Sequence, residues 1–460
     1  MNGSELPHSS PLAVVILAAG KGTRMRSNLP KLLHQIADLP MVSHVVRTVI
    51  RLNPDYIIPV IAPQMEDVRA VAQKELDGFT GQSFFAVQTE QLGTGHAVKC
   101  AVEELERTYP EFCGNVLVLC GDVPLVGAGC LKDFLADFNA HPRFGASFMA
   151  MVPPDPTGFG RIFQNADGTL KDIIEEKDAN PEQKLVRLVN SGIGAFRSKN
   201  FLKYLGQLGK NNRQGEYYLV DIPKILNSEK IDTGVFRGPY RELRGVNSRT
   251  QLAELEQYWQ EMKRLEMMES GVTLQDPATV YFSHDTQIGQ DCVIGPHVIF
   301  GPQVRIEANV EIKPFSHIEG ATIQSGASIG PFARIRPHSH IDEGAKIGNF
   351  VEVKNSHIKR GAKANHLGYI GDAALGEQAN FGCGAITVNY DGQHKSKTLI
   401  GDYVMVGSNA TLIAPVEIGD GAYIAAGSTV TQNVEADALV VGRSKQISLA
   451  GKAKGRLKRS

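Results

Sequence analysis

The chain has 460 residues with 42% hydrophobic and 21% charged, the balance of an ordinary soluble globular protein. That length exceeds what one hydrophobic core supports, so two domains are expected. The formal net charge of -1 excludes wholesale nucleic-acid or membrane binding. Six cysteines, at 100, 113, 120, 130, 292 and 383, form no C-x-x-C pair, and no histidine pair sits at zinc spacing. Neither a disulfide framework nor a structural metal is expected, and the thiols suit a reducing cytoplasm. The start MNGSELPHSS lacks the basic and apolar regions of a secretion signal. No apolar run is long enough to span a bilayer. We expect a cytoplasmic protein.

Val14 to Ala19 read as a buried strand that runs into a loop with Gly20 and Gly22, surrounded by Lys21, Arg24 and Lys31. Backbone amides and cations at the carboxyl end of a parallel strand suit an anion. The spacing is neither G-x-x-x-x-G-K-[ST] nor G-x-G-x-x-G, so on glycine count alone any tight turn fits. Up to about residue 248, apolar runs (LAVVILAA, YIIPVIA, NVLVLC) alternate with helical patterns (PMVSHVVRTVIRL, MEDVRAVAQKEL). Strands apolar on both faces and separated by helices predict an α/β domain with a largely parallel sheet. NVLVLCGDVPL ends on Gly121-Asp122. Facing a cationic loop, that carboxylate suits Mg²⁺ bridging phosphates, although Asp is also a common cap of the next turn.

From Ser248 to Ser270 the spacing of Leu252, Leu255, Trp259 and Met262 predicts one amphipathic helix. Beyond about residue 280 a six-residue period takes over. Ile288, Ile294, Phe300, Ile306, Ile312 and Ile318 keep it, and after a one-residue slip Ile329, Ile335, Ile341, Ile347 and Val353 continue. A third run holds Ile400, Val406, Leu412, Ile418, Ile424 and Val430. This is the pattern of a β-helix whose apolar residues point inward and stack from coil to coil. Between Val353 and Ile400 the period is expected to break, around an insertion, NYDGQHKSKT, that does not fit a coil wall. That segment gathers lysine, histidine, tyrosine and asparagine, and loops thrown from a rigid scaffold often carry function. The tail GKAKGRLKRS reads as a solvated end or a phosphate contact.

LAAGKGTRM followed by LPK resembles the sugar-nucleotide pyrophosphorylase signature. QTEQLGTGHA, CGDVPL, PTGFGR, IIEEKDA, VNSGI and QGEYYLVD follow in that family's order, with NHLGYIGD and VNYDG further on. From about Leu12 to Arg443 the chain is similar to the bifunctional N-acetylglucosamine-1-phosphate uridylyltransferase / glucosamine-1-phosphate N-acetyltransferase family. The resemblance implies an α/β Rossmann-like nucleotidyltransferase domain (12–248), a linker helix (249–270), a left-handed parallel β-helix of hexapeptide repeats (271–442) and a basic tail (443–460). It implies a cytoplasmic homotrimer whose acetyl site lies between subunits, making UDP-N-acetylglucosamine for peptidoglycan and lipopolysaccharide precursors.

For the first domain the resemblance implies UTP and N-acetylglucosamine 1-phosphate as substrates. Leu17, Ala18, Ala19 and Gly20 would line the nucleotide, Arg24 and Lys31 would act on its phosphates, and Gln88, Gly93 and Thr94 would read uracil. Gly160, Glu175 and Asn190 would hold the amino sugar, and Asp122 with Asn247 would hold Mg²⁺. For the β-helix it implies acetyl transfer from acetyl-CoA to glucosamine 1-phosphate, with His366 as base. Arg336 and Lys354 match the phosphate cations, and Tyr369 and Asn380 match further sugar positions. Cys383, Asn389, Tyr390, Ser408, Ala426 and Arg443 match acetyl-CoA positions. Three residues depart from the family pattern: Cys120 stands where tyrosine is frequent, Cys383 replaces an alanine, and Gly368 replaces a small hydroxyl residue. Two other readings stay open, a nucleotidyltransferase for another nucleotide or sugar with a passive β-helix, and a trimeric scaffold without turnover.

Overall fold

Strand Leu12–Leu17 sets the plan of the first unit. Successive side chains point to opposite faces, and both faces are buried. Ala13 and Val15 join a core with Ala97, Val98, Ala101, Val102 and Leu105 of helix Thr94–Thr108. Val14 and Ile16 join another with Val42, Val45, Val46 and Val49 of helix Met41–Ile50 and with Leu131, Phe134 and Phe138 of helix Ala128–Ala140. A helix-covered parallel sheet demands such doubly apolar strands. The parallel neighbours are Tyr56–Ile61 and Asn115–Cys120, with Leu17 in register with both Val60 and Cys120. The loop after Leu17 and the residues after Cys120 therefore leave the sheet at one edge.

This is a computed structural model, and it describes residues 10–20 and 22–454. The amino-terminal start, Lys21 and the last six residues of the basic tail lie outside the described residues. The chain divides into two compact units, residues 1–259 and 260–460. The sheet of the first unit has ten strands and is mixed. Val189–Arg197 runs antiparallel to Asn115–Cys120 and to Phe144–Met151, and Arg161–Gln164 pairs antiparallel with Leu170–Ile174. The sheet is largely parallel as expected, with Asp232–Arg237 parallel to Phe144–Met151, and these antiparallel pairs are added to it. Asp167-Gly168, with Gly168 at φ 85, is a hairpin turn.

Helix Arg249–Glu269 is continuous. In its first half Leu255 is buried, and Leu252 and Trp259 pack on Met25, Ile36, Met41 and Val246. Met262, expected on the same stripe, is exposed. In the second half the buried positions are Gln260, Arg264 and Met267. Gln260 exchanges two hydrogen bonds with the Phe282 backbone (2.7 and 2.9 Å), and Arg264 Nε donates to the Val280 carbonyl at 2.8 Å. Polar partners replace apolar packing there, so hydrophobic spacing stopped reporting the buried face.

The second unit is a parallel β-helix. Ile294, Ile312, Ile329, Ile347 and Ala364 stand in one column, each paired in register with the next. Ile306, Ile323 and Ile341 form another, and Ile323 is where the one-residue slip falls. The six-residue period breaks after Val353 as expected, yet the coil continues. Ile341 pairs with Ile358, then Leu375, then Ile400, while Val353 pairs with Ile370, and Phe381 with Val406. Residues 389–397 leave the coil, closed by an antiparallel Tyr390–Lys395 bridge.

Candidate active sites

In the first unit a cavity of about 400 Å³ opens at the sheet edge where the strand ends meet. Leu17, Ala19, Gly20, Lys31, Gln88, Gly93, Thr94 and Asp122 line it, together with Leu32, Gln91, Ala97, Cys120 and Glu216. Ala18 does not line it: its methyl is buried in the core, and its N–H donates to the Val60 carbonyl. Gln91 and Glu216 were missed although both sit inside motifs the sequence singled out; Gln91 Nε2 donates to the Ala19 carbonyl. The glycines divide their work. Gly22 is left-handed (φ 61), and a Cβ there would come within 2.5 Å of Lys31 Cβ, so only glycine lets the loop lie against that lysine. Gly20 needs no special conformation and has open space where a side chain would stand.

The charged groups converge. The Lys31 ammonium donates to the Asp122 carboxylate and, at 2.8 Å, to Asn247 Oδ1, which also accepts from Arg24 Nη2 at 2.7 Å. The Val246 N–H donates to the Asp122 carbonyl, which brings Asn247 to Asp122 despite their separation in sequence. Two hard oxygens, one carboxylate and one amide, therefore face a single point of positive charge, held here by Lys31. Such a pair suits Mg²⁺, which keeps several waters and substrate phosphates as its remaining ligands. Among the described residues there is no group of three or more His, Cys, Asp or Glu able to cage a metal.

Gly160, Glu175 and Asn190 also come together. The Asn190 N–H donates to the Gly160 carbonyl at 2.9 Å, and Glu175 Oε1 lies 3.2 Å from where a Gly160 Cβ would stand. Burial pushes the Glu175 carboxyl up, helped by Asp178 and Asp221. Cys120 joins this group to the cavity, its Sγ donating to the Gly192 carbonyl at 3.6 Å. Burial pushes its thiol up to about 12, with Asp122 adding to the shift, so it is a neutral donor.

In the second unit strand Lys346–Lys354 lies in register beside Lys363–Gly371, which sets Asn349 against His366 and Glu352 against Tyr369. His366 Nδ1 is 2.8 Å from Asn349 Oδ1. Arg336 Nη1 donates to Glu352 at 2.7 Å, and Lys354 closes the same strand. Asn389 donates to Asp372 and lies 3.5 Å from the Tyr369 hydroxyl, so the base of the insertion is tied to this wall. Tyr390 is exposed, its hydroxyl donating to the Gly392 carbonyl. Asn380 lies one coil on, its amide against Met405 Sδ. Cys383, Ser408 and Ala426 are exposed on a corner where the Asn409 N–H reaches the Cys383 carbonyl and the Gly427 N–H reaches the Ser408 carbonyl. Arg443 lies exposed just past the last strand, Leu439–Val440. The sequence reading missed Asn349, Glu352 and Asp372. Of these only Asp372 fell inside a motif, NHLGYIGD; the others become visible through strand register alone.

An α/β cavity with a cationic glycine loop and an oxygen pair, followed in the chain by a hexapeptide β-helix carrying a histidine-centred wall, defines a two-domain transferase. The nucleotidyl transferase family matches residues 13–261, and the bacterial transferase hexapeptide (six repeats) matches residues 285–320 and 397–432. The bifunctional protein GlmU of Streptococcus uberis is 43% identical over 458 residues, covering 96% of this chain and 97% of that protein. Those of Streptococcus pyogenes serotype M3 (44%; 96% and 97% covered) and Streptococcus thermophilus (43%; 95% and 96%) are similar to it over nearly the same span. The chain belongs to the GlmU family of bifunctional proteins. Among its described residues no helix is long and apolar enough to cross a membrane.

Proposed function

We propose that the chain is a bifunctional enzyme of UDP-N-acetylglucosamine synthesis. Residues 12–248 transfer UMP from UTP to N-acetylglucosamine 1-phosphate, releasing pyrophosphate. Residues 271–442 transfer acetyl from acetyl-CoA to glucosamine 1-phosphate, 249–270 link the two, and the tail from 443 adds positive charge to the acetyl-CoA end. The active form is a cytoplasmic homotrimer. The observation that carries the first assignment is the convergence of Lys31, Arg24, Asp122 and Asn247 at the rim of the glycine-loop cavity.

In uridylyl transfer the sugar phosphate oxygen attacks the α-phosphorus and pyrophosphate leaves, so positioning and charge neutralisation dominate. Lys31 and Arg24 neutralise the phosphates, the backbone from Leu17 to Gly20 bounds the nucleotide, and Gln88 with Gly93 and Thr94 reads the base. Gly160 leaves room for the amino sugar, which Glu175 and Asn190 hold. Asp122 and Asn247 would hold Mg²⁺, which would supply neutralising charge to the phosphates.

In acetyl transfer the amine of glucosamine 1-phosphate must lose a proton as it attacks the thioester carbonyl. His366 donates its Nδ1 proton to Asn349, which leaves the Nε2 lone pair as the base. Arg336 and Lys354 bind the phosphate, Tyr369 and Asn380 flank the sugar, and Asn389, Tyr390, Cys383, Ser408, Ala426 and Arg443 contact acetyl-CoA. A paired assay tests both assignments. Lys31→Met should lower pyrophosphate release at least ~100-fold and leave thiol release from acetyl-CoA intact, and His366→Ala should do the reverse. Wild-type protein that releases pyrophosphate but never thiol would make the β-helix a scaffold.

A further inference from the structure

The Gln88 side chain carries one acceptor and one double donor, and its fixed partners decide which of them a nucleotide meets. Gln88 is 4% exposed and lines the cavity. Its Nε2 lies 3.0 Å from the Gly93 carbonyl and 3.2 Å from His96 Nδ1. A backbone carbonyl only accepts, so it pins the Nε2 end of the amide on that side. The second Nε2 hydrogen then points at His96 Nδ1, which must offer its lone pair. His96 consequently carries its proton on Nε2, 3.8 Å from Cys100 Sγ, and sulfur is a weak acceptor there. Both Gln88 donors are spent, and Oε1, which accepts no hydrogen bond among the described residues, is what the amide has left to offer.

We infer that His96 is a specificity-positioning residue of uridylyl transfer: it holds the Gln88 amide so that an acceptor faces the base, which admits the N3–H of uracil and rejects the bare N3 of cytosine. The inference rests on the assignment of Gln88 to base reading. A site that hydrogen-bonds one group discriminates strongly against a base that leaves its buried partner unpaired. With the His96 acceptor removed, the amide is held by the Gly93 carbonyl alone and can turn its amine toward the base.

The test compares kcat/KM for UTP and CTP in full-length wild type, His96→Leu, which has no acceptor, and His96→Asn, whose side-chain oxygen replaces Nδ1. Acetyl transfer by the same preparations reports on folding of the rest of the chain. His96→Leu should lower the UTP/CTP ratio about tenfold, and His96→Asn should keep it within about twofold. A ratio unchanged in His96→Leu, or lowered equally in both variants, overturns the role of His96 while the reading of the site stands. Wild type with no preference for UTP overturns that reading as well. Should His96→Leu lose uridylyl transfer altogether, wild type with 3-methyl-UTP decides: a fall of at least ~30-fold against UTP supports an acceptor at the base, and equal use overturns it.

Discussion

Cys120 and Cys383 are both free cysteines, and their surroundings separate them. Cys120 is held as a neutral thiol by burial, with a value near 12, whereas Cys383 is exposed on a coil corner. Thiolate fraction and access control alkylation. Iodoacetamide at pH 8 should therefore modify Cys383 and the exposed Cys113 well before Cys120, as read by peptide mapping. If Cys383 touches acetyl-CoA, thiol release should fall with its modification while pyrophosphate release holds, and Cys383→Ala should abolish that sensitivity. Glu175 gives a pH prediction of definite sign. Burial raises its folded value above the unfolded one, so its protonated form is favoured on folding. The associated stability is fully present below the unfolded value and is lost as pH rises through the raised folded value. Glu175→Gln, neutral throughout, should flatten this part of the pH dependence, and urea midpoints at pH 4 and pH 8 should converge relative to wild type.

At the scale of elements, Ala364 and Phe381 explain why the β-helix period fades and yet the coil survives. Ala364 takes the inward place that Ile347 holds one coil earlier, and the Phe381 ring fills space nearby, 3.5 Å from where a Gly368 Cβ would stand. Phe381→Ala should cost about 4 kcal/mol because Ala364 cannot close the cavity. A lower denaturation midpoint with thiol release lost before pyrophosphate release is the expected result. The same pair shows what the sequence made legible. Where isoleucine repeats at six-residue steps, the coils could be read directly; where alanine, threonine and five-residue steps occupy inward positions, the pattern vanished although the fold did not. The strand before the glycine loop was equally plain, because apolar residues on both of its faces imply two cores. Its antiparallel partners were not, since hydrophobic runs carry no strand direction. In the sites, strand ends and the glycine loop led to Lys31 and Asp122 and the family resemblance led to His366, but Asn349 and Glu352 enter through cross-strand register, which one-dimensional spacing does not encode.

On the scale of the whole molecule, the two sites differ in how much of an enclosure one chain supplies. The cavity proposed for uridylyl transfer is built within a single unit, with Lys31 and Asp122 both in its wall. The wall proposed for acetyl transfer has His366, Leu367 and Tyr390 all exposed. A thioester exposed to bulk water while an amine is being deprotonated is poorly protected from side reactions, so closure by another surface is what the chemistry needs. A further exposed feature runs along the same β-helix: the rings of Phe315, Phe332 and Phe350 stack at 4.9 and 5.1 Å on left-handed corner positions, one coil apart, leading toward Leu367 beside His366. If copies of the chain close the acetyl site in a trimer, dilution separates the two activities. Specific thiol release should then fall as the protein is diluted through the trimer dissociation range, in step with the loss of trimer in sedimentation, while specific pyrophosphate release stays constant. Thiol release that is independent of concentration in a sample that sediments as monomer would place the whole acetyl site on one chain.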